Sequence, residues 1–158
     1  MIRALLINLF VAVLVVALIG SVNAVNIAIG LAIGYVLLTV YSMVMRKPNY
    51  GLKVIKLLRF LIYFMTILTK ANLQIAWEII TPGMNQTPRI LRYPVEGLSD
   101  VEITTLANCI TLTPGTLVID VSDDNKWLYI HCMYAKDPAK AVAQLDELAL
   151  KLKREVFS

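Results

Sequence analysis

Between Arg3 and Arg46 the chain carries no Asp, Glu, Lys, Arg or His, an unbroken run of 42 residues. A hydrocarbon core of about 30 Å takes about 20 helical residues to cross, so this run predicts two crossings joined by a short turn. The turn is expected at Gly20-Ser21-Val22-Asn23-Ala24-Val25-Asn26, where small and amide residues replace the Leu, Val and Ile of either side. Backbone groups in lipid must bond within their own segment, which makes Ala4–Ile19 and Ile27–Met45 helices. A secretory signal ending at Val22-Asn23-Ala24 is the rival reading of the first segment. The second apolar stretch follows almost at once, which favours a retained hairpin.

Lys53–Ile80 is apolar again, but polar residues interrupt it at steps of three and four: Lys53, Lys56, Arg59, Tyr63, Thr66, Lys70, Gln74 and Glu78. That spacing puts them on one stripe of a single helix. Its longest uncharged stretch, Phe60–Thr69, is about 15 Å of helix, half a bilayer core. The pattern suits a helix lying in the interface or along a partner subunit. A third span with its stripe turned to other proteins is the alternative.

Thr81-Pro82-Gly83 ends that helix. Pro88–Val95 reads as a strand that Pro94 confines to an edge or terminates. Ser99 and Glu102 form a capping box opening a helix to about Leu112, with Val101, Thr105, Ala107 or Leu106, and Ile110 on its approximate apolar side. Thr113-Pro114-Gly115 stops it. Thr116–Ser122 alternates, with Leu117, Ile119 and Val121 on one face, and pairs through Asp123-Asp124-Asn125 with Trp127–Tyr134. Asp137-Pro138 caps a last helix with Val142, Leu145, Leu148, Leu152 and Val156 along one side. The expected fold is therefore a membrane α-helical hairpin (1–46), an amphipathic helix (47–82) and a small α+β domain (83–158). The domain's β-α-β-β-α order matches a truncated ferredoxin-like sandwich. About 75 residues make a small core, which predicts that the domain docks on the membrane part or on a partner.

Charge refines this picture. Residues 1–82 hold seven basic groups against Glu78 alone, while residues 83–158 hold eight basic and ten acidic groups. The net charge of +4 is thus juxtamembrane, and no basic stripe points to nucleic acid. Arg46, Lys47, Lys53, Lys56 and Arg59 form the membrane-interface cluster and should be cytoplasmic, together with the amino terminus and, for two spans, the C-terminal domain.

Candidate chemistry is sparse. Cys109 and Cys132 sit in apolar surroundings without a Cys-x2-Cys spacing, and reduced thiols suit a cytoplasmic domain. His131 is the only histidine, so no histidine-based metal site can form within one chain. Asp120, Asp123 and Asp124 read as Asx turns rather than a cation site. No catalytic constellation and no cofactor motif appears. Asn8, on an otherwise apolar helix, is expected to hydrogen-bond between helices, and Gly30 with Gly34 offers a close-packing face. With no carboxylate, Lys or His in the spans, no ion relay can be built there. Glu78, at the apolar end of the third helix, is the nearest candidate for an ion-path contact. The plainer expectation is a cap to the polar stripe, partnered with Lys70 or Gln74.

The segment ANCITLTPGTLVIDVSDDNKWLYIH (Ala107–His131) closely resembles the signature of the E subunit of the Mrp (Mnh) multisubunit sodium/proton antiporters. KANLQIAWEIITPGMNQTPRI (Lys70–Ile90) is similar to the same family, and the likeness covers essentially the whole chain. Its specific core is Ile110, Thr111, Leu112, Thr113, Pro114, Gly115 and Thr116. The resemblance implies secondary cation/proton antiport by a hetero-oligomer in the bacterial plasma membrane, with ions carried by other, larger subunits. It makes this chain an accessory or assembly member, neither an enzyme nor a cofactor protein, and makes the other antiporter subunits and the lipid its partners. It leaves the role of the turn open; a helix stop that docks the soluble domain is its best physical account. Two alternatives stand beside it: a membrane-tethered regulatory module binding a small anion through Thr111–Thr116, and a self-standing structural membrane protein.

Overall fold

The computed structural model describes residues 2–46, 49–83 and 86–157; Lys47, of the predicted interface cluster, lies outside them. The chain divides into two compact units, residues 1–58 and 59–158, and the boundary falls inside the third helix.

The first unit is a helical hairpin of α1 (Ile2–Ile19) and α2 (Ala24–Val44), with the start of α3 (Tyr50–Ile80). The turn is shorter than expected, because Asn23 caps α2 by accepting the Asn26 N–H at 2.8 Å, and the helix begins at Ala24. Gly30 and Gly34 are buried against α1. A Cβ on Gly30 would lie 2.8 Å from the Ala12 Cα, and one on Gly34 would clash with the Asn8 amide. The glycines therefore let the two backbones approach, as the small-residue pattern predicts. Asn8 Nδ2 donates to the Tyr50 hydroxyl at 3.0 Å, the expected interhelical bond, and it links α1 to the first residue of α3. Among the described residues one helix, Ala24–Val44, is long and apolar enough to cross a membrane; Arg3–Ile19 is apolar but shorter.

Helix α3 starts at Tyr50, three residues earlier than its polar stripe indicated. Asn49 supplies the cap, its side chain accepting the N–H groups of Gly51 (2.9 Å) and Leu52 (3.4 Å).

In the second unit β1 (Arg89–Pro94), β2 (Thr116–Val121) and β3 (Trp127–Cys132) form an antiparallel sheet in the order β1-β3-β2. Helices α4 (Asp100–Leu112) and α5 (Pro138–Leu152) contribute to the same core, and a π-helical turn, Lys153–Phe157, continues α5. The Ser99–Glu102 capping box and the Asp137 cap stand where the sequence put them. Two side-chain expectations are corrected. The buried face of α4 is Ile103, Leu106, Cys109 and Ile110, whereas Val101 is 66% exposed. In β2 a bulge between Val118 and Asp120 resets the alternation, so Leu117 lies opposite His131 but Val121 lies opposite the buried Leu128. Leu117, Ile119 and Val121 therefore do not share one regular face.

Phe60 and Phe64 of α3 are each 6% exposed and belong to the same core as Leu106, Leu128, Ile130 and Leu145. The small core is thus completed by the chain's own amphipathic helix. Each phenylalanine contributes about 1.5–3 kcal/mol of burial. Leu61, Ile62, Met65, Leu73 and Trp77 on the same helix remain exposed, so α3 is apolar on a second side as well.

Candidate functional site

The Thr113–Thr116 turn is built by closing α4 with hydroxyls. The Thr113 N–H donates to the Ile110 carbonyl at 3.0 Å, and the Thr113 hydroxyl to the Cys109 carbonyl at 3.0 Å. The Thr116 hydroxyl lies 2.6 Å from the Ile110 carbonyl and 2.9 Å from that of Thr113. These contacts occupy carbonyls that a helix end otherwise leaves open. Thr111 accepts the Val118 N–H at 3.3 Å, tying helix to strand. The hydroxyls of Thr113 and Thr116 donate within the turn and are not offered to an anion, while that of Thr111 accepts from Val118. Ile110 is buried, Thr111 and Leu112 are exposed, and Thr113 to Thr116 are half-buried.

Gly115 has φ +89°, in the left-handed region that disfavours a side chain. Its carbonyl accepts the Met133 N–H at 2.8 Å, and a Cβ here would sit 3.2 Å from the Tyr134 ring. Tyr134 in turn donates its hydroxyl to the Glu78 carboxylate near the end of α3. Turn, aromatic ring and helix end therefore form one clasp: Gly115, Tyr134, Glu78. The bond to Glu78, then burial and the Glu78 charge, push the Tyr134 phenol up to about 12. Sequence reasoning singled out Gly115 and Glu78 but missed Tyr134, which is 56 residues from Glu78 and carries no motif of its own.

Above the turn an open cleft of about 690 Å³ runs between α3 and α5. Tyr63, Thr66, Lys70 and Gln74, four consecutive members of the polar stripe, line it from α3. Tyr63 hydrogen-bonds to Glu147 of α5, and burial with that carboxylate pushes its phenol up to about 12. The Lys151 ammonium lies 5.0 Å from the Tyr63 ring centre.

The other predicted residues are spread out. Arg46 follows α2 with φ 51° and is exposed; Lys53 and Lys56 are half-buried and Arg59 is exposed along α3. At the hairpin tip the Asp124 carboxylate accepts the Ser122 hydroxyl at 2.6 Å and the Lys126 N–H at 3.2 Å, an Asx-type turn that holds it below its ordinary pKa. Cys109 and Cys132 are free and buried, and burial pushes both thiols up. His131 is half-buried in β3, opposite Ile90 and Leu117. Among the described residues no three His, Cys, Asp or Glu side chains gather in a metal-binding group.

The family model described as MNHE, Na+/H+ ion antiporter subunit, matches residues 8–155. The chain belongs to this family. The Na(+)/H(+) antiporter E subunit of Bacillus subtilis (strain 168) is 34% identical to it over 152 residues, 96% of either chain. That of Alkalihalophilus pseudofirmus (strain OF4) is 33% identical over 143 residues, 90% of either. Among solved structures, a chain of the Mrp complex from Dietzia sp. DQ12-45-1b superposes with TM-score 0.50 at 30% identity, covering 63% of this chain and 94% of that one. A chain of the membrane-bound sulfane sulfur reductase, an archaeal respiratory membrane complex, gives TM-score 0.54 at 23% identity over 93% and 96%, a likeness of fold alone. Membership in the antiporter-subunit family makes transport, rather than enzyme catalysis, the setting in which the turn and clasp are read.

Proposed function

We propose that this chain is a non-translocating accessory subunit of a multisubunit Na+/H+ antiporter in the bacterial plasma membrane, assembled with the complex's other subunits. The observation that carries the reading is the absence of any Asp, Glu, Lys, Arg or His from Ala4 to Met45, in a chain of an antiporter-subunit family. Groups that relay protons or sodium at membrane depth are carboxylates, lysines or histidines, and a subunit without them there moves no ion through its own spans.

In this reading residues 1–46 cross the membrane twice. Helix α1 supplies about 27 Å of helix, close to the bilayer core, and is held to α2 by the Gly30/Gly34 face. Residues 47–82 lie in the interface, where Arg46, Lys47, Lys53, Lys56 and Arg59 meet anionic headgroups and fix a cytoplasmic side. Residues 83–158 form a cytoplasmic domain. Its β1-β3-β2 order is that of a ferredoxin-like sandwich without the last strand, and the Ile110–Thr116 turn joins it to α3 through Tyr134 and Glu78. The exposed apolar side of α3 then faces lipid or a neighbouring protein of the complex. Glu78, engaged by Tyr134, acts as a structural anchor rather than an ion-path contact.

The test is to tag this chain at low expression and identify what co-purifies. Several different antiporter subunits in fixed ratio support the proposal. A stable homo-oligomer recovered alone contradicts it.

A further inference from the structure

The α3–α5 cleft has a composition that an assembly role leaves unused. Its floor is apolar, with Ile67, Ala71, Ile110, Pro114, Leu145 and Leu148. Three lysines line the same cleft, Lys70 from α3, Lys136 from the segment before the α5 cap and Lys140 from the first turn of α5. Two carboxylates line the cleft as well, held by neutral donors that leave their charges in place. Asp137 accepts the N–H groups of Ala139 (3.1 Å) and Lys140 (3.4 Å), and Glu147 takes the Tyr63 hydroxyl. Lys140 pairs with Asp137 at 4.0 Å, while Lys70 and Lys136 have no ion pair among the described residues. The cleft thus combines three lysines, two of them without an ion pair, with two carboxylates and an apolar lining, a small net positive charge. The volume of about 690 Å³ is that of a small-molecule site.

We propose that this cleft binds an organic phosphate, its charged group held by Lys70, Lys136 and Lys140 and its apolar part lying over Ile67, Ala71 and Pro114. Ammonium groups, as point charges, suit a phosphate, which offers oxygens in several directions, better than a planar carboxylate, which is matched by a guanidinium fork. Thr113 and Thr116, which also line the cleft, take no part, since their hydroxyls donate to carbonyls of the turn. An anionic phospholipid headgroup and a soluble nucleotide share this chemistry. The inference does not depend on whether the chain assembles with an antiporter.

The experiment uses the purified, delipidated full chain in nonionic detergent, followed by thermal unfolding. The probes are dihexanoylphosphatidylglycerol and ATP, with dihexanoylphosphatidylcholine as the uncharged comparison. At a hundredfold excess over its dissociation constant, an effective probe raises the melting temperature by about 5 °C. Its affinity falls at least about tenfold in Lys70→Gln/Lys136→Gln/Lys140→Gln and stays unchanged in Arg89→Gln/Lys126→Gln/Lys153→Gln, which removes equal charge elsewhere. Ala71→Leu, which fills the floor, weakens binding independently of charge. A response to phosphatidylglycerol alone assigns the lipid headgroup, and a response to ATP alone assigns a soluble phosphate. The proposal is overturned if neither anionic probe shifts unfolding, if phosphatidylcholine does so equally, or if both triple variants lose affinity alike.

Discussion

Replacing Gly115 with alanine perturbs the turn at a single atom, and the structure sets the size of the effect. At φ +89° an L-residue costs about 1–2 kcal/mol more than glycine. The new Cβ would lie 3.2 and 3.3 Å from two carbons of the Tyr134 ring, so the ring must shift by a few tenths of an ångström. That ring is held by its bond to Glu78 and cannot move without loosening it, at a further cost of about 1 kcal/mol. The sum is about 2–3 kcal/mol, or roughly a 30- to 150-fold loss in the folding equilibrium. Urea unfolding of the purified full chain, read from Trp127 in β3, measures it. The same substitution in a Tyr134→Ala background should cost only the backbone part, about 1–2 kcal/mol. A cost below about 0.5 kcal/mol would refute the strained-turn argument. Equal costs in the two backgrounds would refute the packing of Gly115 against Tyr134.

Truncating Phe64 to alanine should destabilise the second unit by about 3–5 kcal/mol, because the ring is buried in that unit's core; native-like protease resistance of residues 59–158 in the variant would contradict this. Gly34→Leu should separate α1 from α2 and lower the yield of assembled complex, measured by native electrophoresis, since any side chain there meets Asn8. The Tyr134 phenol, raised from 10.0 to about 12, stabilises the fold fully below pH 10, and that contribution is lost as the pH rises through 12. Tyr134→Phe should therefore flatten the alkaline decline of stability between pH 10 and 12, and an unchanged slope would show the bond contributes nothing. Cysteine labelling of Ser158→Cys, with Cys109 and Cys132 replaced by alanine, should occur only from the cytoplasmic side; labelling from outside intact cells would overturn both the two-span topology and the in-plane helix.

Local chemistry was legible wherever a residue type has one dominant use. Ser99 with Glu102 and Asp137 with Pro138 located two helix starts, and Thr113-Pro114-Gly115 located a helix stop, because caps and glycine turns act over three or four residues. Gly30 and Gly34 disclosed the α1–α2 contact because a four-residue spacing puts both glycines on one helix face. Asn49 was harder to read as a cap, since Tyr50 and Gly51 follow it rather than a periodic run. The inward side of α3 was hidden because the helix is apolar on more than one side. Only the tertiary fold decides that Phe60 and Phe64 enter the core while Leu58 and Ile62 stay exposed. The bulge at Ile119 breaks a clean alternation that sequence alone reads as one face. Of the candidate site, Gly115 was marked by its turn, whereas Glu78 was expected on an ion path or beside Lys70 or Gln74 and instead accepts the Tyr134 hydroxyl. Their connection through Tyr134 depends on a contact far apart in sequence, and the lysine-lined cleft depends on α3 and α5 meeting.

The central claim is that this protein organises an ion transporter without carrying the ion, and Glu78 is where that claim is most exposed. Glutamine at this position keeps an acceptor for the Tyr134 hydroxyl but removes the titratable charge. Na+/H+ antiport should be measured in membrane vesicles carrying Glu78→Gln, with activity divided by the amount of assembled complex. The account predicts activity per complex close to that of the unaltered chain. Assembly at the normal level with antiport abolished would place Glu78 on the ion path and contradict the accessory role.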